Sequence, residues 1–174
     1  MQSTKMALGT LLLLALSMTT GCAMDAQDGS SDKVAVKADA EPLTSGVHTA
    51  VRNLSTQFCL DSNGSGHAYA GGCNGGNYQQ WTAQFGTYGY KLIDLQTGRC
   101  LDSNAAGSVY TSNCNGGSYQ EWTTTTISGC APLTYPCTQK LQNVATGMFL
   151  DGNTSGSVYT HVGNSGNFQV WQEI

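Results

Sequence analysis

The stretch CLDSNAAGSVYTSNCNGGSYQEW, from Cys100 to Trp122, decides the architecture because the chain carries it three times. An earlier copy, CLDSNGSGHAYAGGCNGGNYQQW, runs from Cys59 to Trp81, and a later one, FLDGNTSGSVYTHVGNSGNFQVW, from Phe149 to Trp171. Spacing inside the copies is the same. Each Asp (Asp61, Asp102, Asp151) is followed after 8 residues by Tyr (Tyr69, Tyr110, Tyr159) and after 13 by Asn (Asn74, Asn115, Asn164). Gln follows after 18 (Gln79, Gln120, Gln169), and Trp after 20 (Trp81, Trp122, Trp171), which places all 3 Trp of the chain at one repeat position.

The period is 41 residues and then 49, with the extra eight in TTTTISGCAPLTYPC before the third copy. Short alternating or β-branched runs such as KLIDL, GSVYTS and QEWTTTTI stand between Gly, Asn and Ser turns, and no segment carries a 3.6-residue apolar stripe. The chain therefore reads as all-β. A repeat near 40 residues also suits a propeller blade, but three blades are too few to close one. Three four-stranded units, about 12 short strands in all, fit a closed threefold barrel with a cap, the β-trefoil, which leaves no sheet edge exposed.

Outside the repeats the composition changes. Lys5 and the apolar run Met6 to Met18 read as a signal peptide over residues 1–22, too short to span a bilayer. Gly21-Cys22 resembles the end of a bacterial lipobox, with Thr19 where an aliphatic residue is usual, and would make Cys22 a lipidation site. Ordinary cleavage at Gly21-Cys22-Ala23 or Ala38-Asp39-Ala40 is the alternative. Residues 23–46 hold five of the 11 acidic residues and no aromatic, so they read as a flexible linker with an r.m.s. span of about 25–30 Å. The folded domain is expected over residues 47–174, and the whole is expected to be exported, as a cell-surface lipoprotein or in secreted form.

Only 10% of residues are charged, against about a quarter in ordinary domains, and the net charge is −4. Seven Lys and Arg, thinly spread, form no basic patch, which argues against nucleic acid as a partner. Membrane contact is expected only through an N-terminal lipid.

The Gln-x-Trp closing each of three repeats resembles the ricin-B-type β-trefoil lectins. The longer string LDSN-x-x-G-x-VYT-x-x-x-NGG-x-YQ-x-W is more similar still to actinohivin-like mannose-binding lectins. That resemblance implies three sugar pockets: Asp61/Tyr69/Asn74, Asp102/Tyr110/Asn115 and Asp151/Tyr159/Asn164. Tyr78 and Tyr119, one before each Gln, would add a second aromatic wall, and the third copy has Phe168 there. The residue types suit the task. A carboxylate accepts from vicinal hydroxyls, an amide donates and accepts, and a phenol packs against C–H faces. The bland alternatives are Asx-turn roles for the Asp residues and left-handed turns for Asn74, Asn115 and Asn164. Asn63, Asn104 and Asn153 read as turn residues. The Gln and Trp of each QxW read as structural, with Leu60, Leu101 and Leu150 in the core.

The implied ligands are glycans or glycoproteins, with terminal α-mannose or mannobiose of high-mannose glycans favoured. A galactose-binding ricin-B-type lectin and a β-trefoil used as a protein-binding or inhibitory module are the alternatives. The second copy matches the pattern best, and unequal sites are expected.

Cys59 and Cys73 stand 14 apart, as do Cys100 and Cys114, while the third copy has Phe149 and Gly163 in both slots. Joint presence and joint loss predict two disulfides within repeats, with Cys130 and Cys137 closing the insert. A zinc site is not expected: the Cys have no C-x2-C spacing, and His48, His67 and His161 stand in different repeat contexts. No cofactor is implied. Glycoside hydrolysis needs two carboxylates about 5–10 Å apart, and each repeat offers one Asp, so the chain reads as a non-enzyme.

Overall fold

The computed structural model describes residues 47–128 and 137–174. The expected signal peptide, linker, Cys22 and Cys130 lie outside these residues. The first repeat contributes β1 (His48–Asn53), β2 (Cys59–Ser62), β3 (Ala68–Gly71) and β4 (Gln80–Phe85). The second contributes β5 (Tyr90–Asp94), β6 (Cys100–Ser103), β7 (Val109–Ser112) and β8 (Trp122–Ser128). The third contributes β9 (Thr138–Asn143), β10 (Phe149–Gly152), β11 (Val158–His161) and β12 (Trp171–Glu173). The 12 strands match the sequence expectation.

Antiparallel pairing runs β1–β4–β5–β8–β9–β12 and returns to β1, so six strands close a barrel. The hairpins β2–β3, β6–β7 and β10–β11 form the cap. Each Trp is fully buried, and its indole Nε1–H donates to the carbonyl of the Leu at the start of its own repeat: Trp81 to Leu60, Trp122 to Leu101 and Trp171 to Leu150, at 3.0–3.1 Å. The indole thus contributes its apolar area and satisfies its one polar atom.

The three cap hairpins are joined by contacts between repeats. The amide N–H groups of Thr111, Thr160 and Ala70 donate to the carbonyls of Gly66, Gly107 and Gly156, each at 2.8 Å. These glycines have φ of +83° to +88°, and a Cβ on any of them would lie 2.6–2.7 Å from the carbonyl oxygen of the facing repeat. Both the backbone conformation and the close approach therefore require glycine.

Disulfides join Cys59 to Cys73 and Cys100 to Cys114 as expected. Cys137 is also disulfide-bonded. In the third repeat the Phe149 ring occupies the space above Gly163, whose Cβ would meet that ring at 2.7 Å. Lys140 Nζ lies 5.8 Å from the centre of the Phe149 ring and donates to the Asn164 carbonyl. A packed ring and a lysine thus replace the covalent clamp.

Candidate functional site

The site is built from one strand pair and one short turn per repeat. Asp61, Asp102 and Asp151 sit on β2, β6 and β10, directly opposite Tyr69, Tyr110 and Tyr159 on β3, β7 and β11. Cross-strand partners share a face of the hairpin, so each carboxylate and phenol are neighbours. All three Asp are buried at 5% exposure. The turn alternative for them does not describe their side chains. In each repeat Asp Oδ2 accepts from the Nε2 of the QxW glutamine, at 2.8 Å (Gln79), 2.9 Å (Gln120) and 3.1 Å (Gln169). The other oxygen, Oδ1, has no hydrogen-bond partner in any of the three.

That same glutamine organises the rest of the site. Its Oε1 accepts from the amide N–H of Asn74, Asn115 or Asn164 at 2.8–2.9 Å. Its Nε2 also donates to the carbonyl of Gly72, Asn113 or Val162 at 3.0 Å. The sequence pattern marked the Gln as structural, and it is. It is also the group that aims the Asp, a role visible only once the two are seen 18 residues apart and in contact.

The Asn side chains resolve differently from the left-handed turn considered for them. Their Oδ1 atoms accept from the N–H of Gly76, Gly117 and Gly166 at 2.7 Å, an Asx-turn. Positive φ falls instead on the next residue in the first two copies, Gly75 and Gly116. With Oδ1 engaged, each Asn has its Nδ2 donors left to offer. Asn63, Asn104 and Asn153 are turn residues as read, each Oδ1 accepting two backbone N–H groups at 3.0–3.1 Å.

The phenols respond to this setting. Burial first, and then the negative charge of the facing Asp, push the pKa of Tyr69, Tyr110 and Tyr159 above the usual tyrosine value. The hydroxyls stay protonated and available as donors. Tyr69 and Tyr110 approach Asp61 and Asp102 without meeting directed hydrogen-bond geometry to Oδ1.

In the third repeat these groups enclose a cavity of about 330 Å³ lined by Asp151, Tyr159 and Asn164 together with Phe168, His161, Asn153 and Gly152. Phe168 takes the wall position assigned to Tyr78 and Tyr119 in the other copies. Those two and Phe168 lie in the three-residue 3-10 turns Asn77–Gln79, Ser118–Gln120 and Asn167–Gln169 and are 37–43% exposed. His161 was not anticipated. Its repeat counterparts are Gly71 and Ser112, so no recurring residue type marks the position. Ser112 Oγ donates to Asp102 Oδ2 at 2.8 Å, a bond specific to the second copy. Among the described residues no group of three or more His, Cys, Asp or Glu is placed to hold a metal ion.

A six-stranded barrel closed by three hairpins, with one Asp–Tyr–Gln set per repeat, is a β-trefoil. Residues 47–130 match the family model of the ricin-type beta-trefoil lectin domain. Among curated proteins none matches the chain. Solved structures give the same fold. The designed 3-fold symmetric protein ThreeFoil is 24% identical with a TM-score of 0.63, over 73% of this chain and 97% of that one. SeviL bound to asialo-GM1 saccharide is 16% identical with a TM-score of 0.59, over 73% of this chain and 95% of that one. The exo-beta-1,3-galactanase 1,3Gal43A from Clostridium thermocellum is 19% identical with a TM-score of 0.65, over 76% of this chain but only 31% of the enzyme. This chain therefore spans under a third of that enzyme's length.

Proposed function

We propose that the chain is a non-catalytic lectin with three repeat-related sugar pockets, directed at terminal α-mannose. The observation that carries this reading is the unpartnered Oδ1 of Asp61, Asp102 and Asp151, buried beside a protonated phenol in three copies. A buried carboxylate oxygen without a donor costs free energy, and a sugar hydroxyl supplies that donor. A pair of vicinal hydroxyls can use Asp Oδ1 and the tyrosine or Asn Nδ2 together, while Tyr78, Tyr119 or Phe168 covers the C–H face. The mannose preference rests on the recurring LDSN-to-QxW string. The N-terminal pattern supports export, with a lipid on Cys22 and residues 23–46 as tether; the mass of the mature N-terminal peptide tests this.

Three pockets on one small domain suit multivalent capture, where engaging two or more on a crowded glycan surface raises avidity by about 10²–10⁴. A glycan array probed with the wild type, Asp102→Asn and the triple Asp61/Asp102/Asp151→Asn variant is the direct test, with near-UV circular dichroism to check folding. The amide can keep an oxygen towards the glutamine while presenting a donor where Oδ1 accepted. Mannose-rich binding that falls in the single variant and vanishes in the triple is the expected result. Binding to galactosides alone would replace the sugar assignment, and a folded domain that binds no glycan would overturn the reading.

A further inference from the structure

A second cavity, of about 840 Å³, lies where the three cap hairpins meet. Its size is within the range of small-ligand sites, roughly 300–1,000 Å³. Turns of all three repeats wall it. Ser108 comes from the second repeat, Ser155 and Ser157 from the third and His67 from the first, above the buried side chains of Val109 and Val158. None of the Asp, Asn or Gln residues of the three pockets lines it. Tyr69 and Tyr159 do, and Tyr159 also lines the cavity of the third pocket. Across the repeat boundary Tyr159 pairs with Ser108 in an isolated β-bridge, so the two cavities share one wall that the backbone holds in place.

The chemistry of this wall is that of a sugar subsite. Exposed hydroxyls and an imidazole stand around its rim, and valine methyls make its floor, which matches a pyranose with hydroxyls at its edge and C–H groups on its faces. Resting on the lectin reading above, we propose that the axial cavity is an extension subsite that holds the next residues of a glycan whose terminal sugar occupies the Asp151/Tyr159/Asn164 pocket. Tyr159 is the divider: its ring contacts the terminal sugar on one side and the following residue on the other. The cavity is shared by the repeats, whereas each Asp pocket belongs to one.

Two bulky substitutions from different repeats test this in the full chain. Ala106→Trp and Ser155→Trp both fill the cavity from exposed turn positions whose side chains take no part in the Asp–Gln–Asn set. Titration calorimetry would compare methyl α-mannoside with an α-linked mannotriose, and the methyl galactoside with a galactose trisaccharide. The wild type is expected to bind the trisaccharide roughly tenfold or more tightly than the methyl glycoside. Both variants should lose that gain and keep the methyl glycoside affinity, which also shows that they are folded. A trisaccharide gain that survives in both variants, or no gain in the wild type, overturns the axial subsite and leaves the lectin reading intact. If neither glycoside binds the wild type, the lectin reading falls and the subsite with it.

Discussion

Glu173 offers a sharp test of how the barrel is closed. It lies on β12, fully buried, and its Oε1 accepts from Gln139 Nε2 at 2.6 Å across the β9–β12 seam. Its Oε2 and the Oε1 of Gln139 have no partner. Burial pushes the carboxyl from 4.5 up to about 7, and the bond from Gln139 offsets part of that rise. The folded-state pKa is thus above the unfolded one, so between pH 4.5 and 7 the native state holds the extra proton. Stability then falls as pH rises through this window and levels off above it. The displacement corresponds to a loss of about 3 kcal/mol, a large part of a domain's usual 5–15. Glu173→Gln keeps the shape, removes the charge and puts a donor where Oε2 stood. Urea unfolding of both proteins at pH 5 and pH 8 isolates this one group, because every other titration is common to the pair. The wild type is expected to lose about 2.5 kcal/mol relative to the variant between the two pH values, part of the full displacement being already lost at pH 5, with the variant the more stable at pH 8. Parallel pH profiles would refute the assignment of a buried protonated carboxyl.

Three further outcomes follow from the geometry. Gln120→Ala removes the bonds to Asp102, Ser112, the Asn113 carbonyl and the Asn115 amide; it should lower stability by about 2–4 kcal/mol and weaken glycan capture even where thermal melting shows a folded domain. Gly107→Ala places a Cβ 2.7 Å from the Thr160 carbonyl at φ +85°; a fall of about 2 kcal/mol or more in the urea-derived stability is expected, whereas Gly72→Ala, whose Cβ meets nothing within 4 Å, should cost little. Reduction of Cys59–Cys73 and Cys100–Cys114 should cost about 3 kcal/mol for each bond, and the third pocket, held by Phe149 on Gly163 and by Lys140, should be the last to lose binding in dithiothreitol.

The pockets were partly legible in the residues. Asp151, Tyr159 and Asn164 do line one cavity, and their spacing alone brought them together, because a hairpin of fixed length sets an Asp opposite a Tyr 8 positions on. Phe168, at the position that Tyr78 and Tyr119 hold in the other copies, lines the same cavity. His161 was not, because its position holds Gly71 and Ser112 in the other copies and repetition was the only signal available. The double role of Gln79, Gln120 and Gln169 was hidden too, since a residue that satisfies backbone groups in a corner gives no sign in sequence that one amide proton goes to a carboxylate.

The sequence by itself determined the β-trefoil, the two repeat disulfides and the core of Trp81, Trp122, Trp171 and their leucines. Those features recur at fixed spacing inside a repeat, where local turn chemistry and apolar pattern settle them. The tertiary structure alone decided what lies between repeats: the glycine contacts that lock the cap, the cavity they surround, the sharing of Tyr159 between two cavities and the burial of Glu173 in the seam of the barrel. The cap contacts join residues dozens of positions apart in different copies, and Glu173 is buried because ring closure sets the last strand, β12, between β9 and β1.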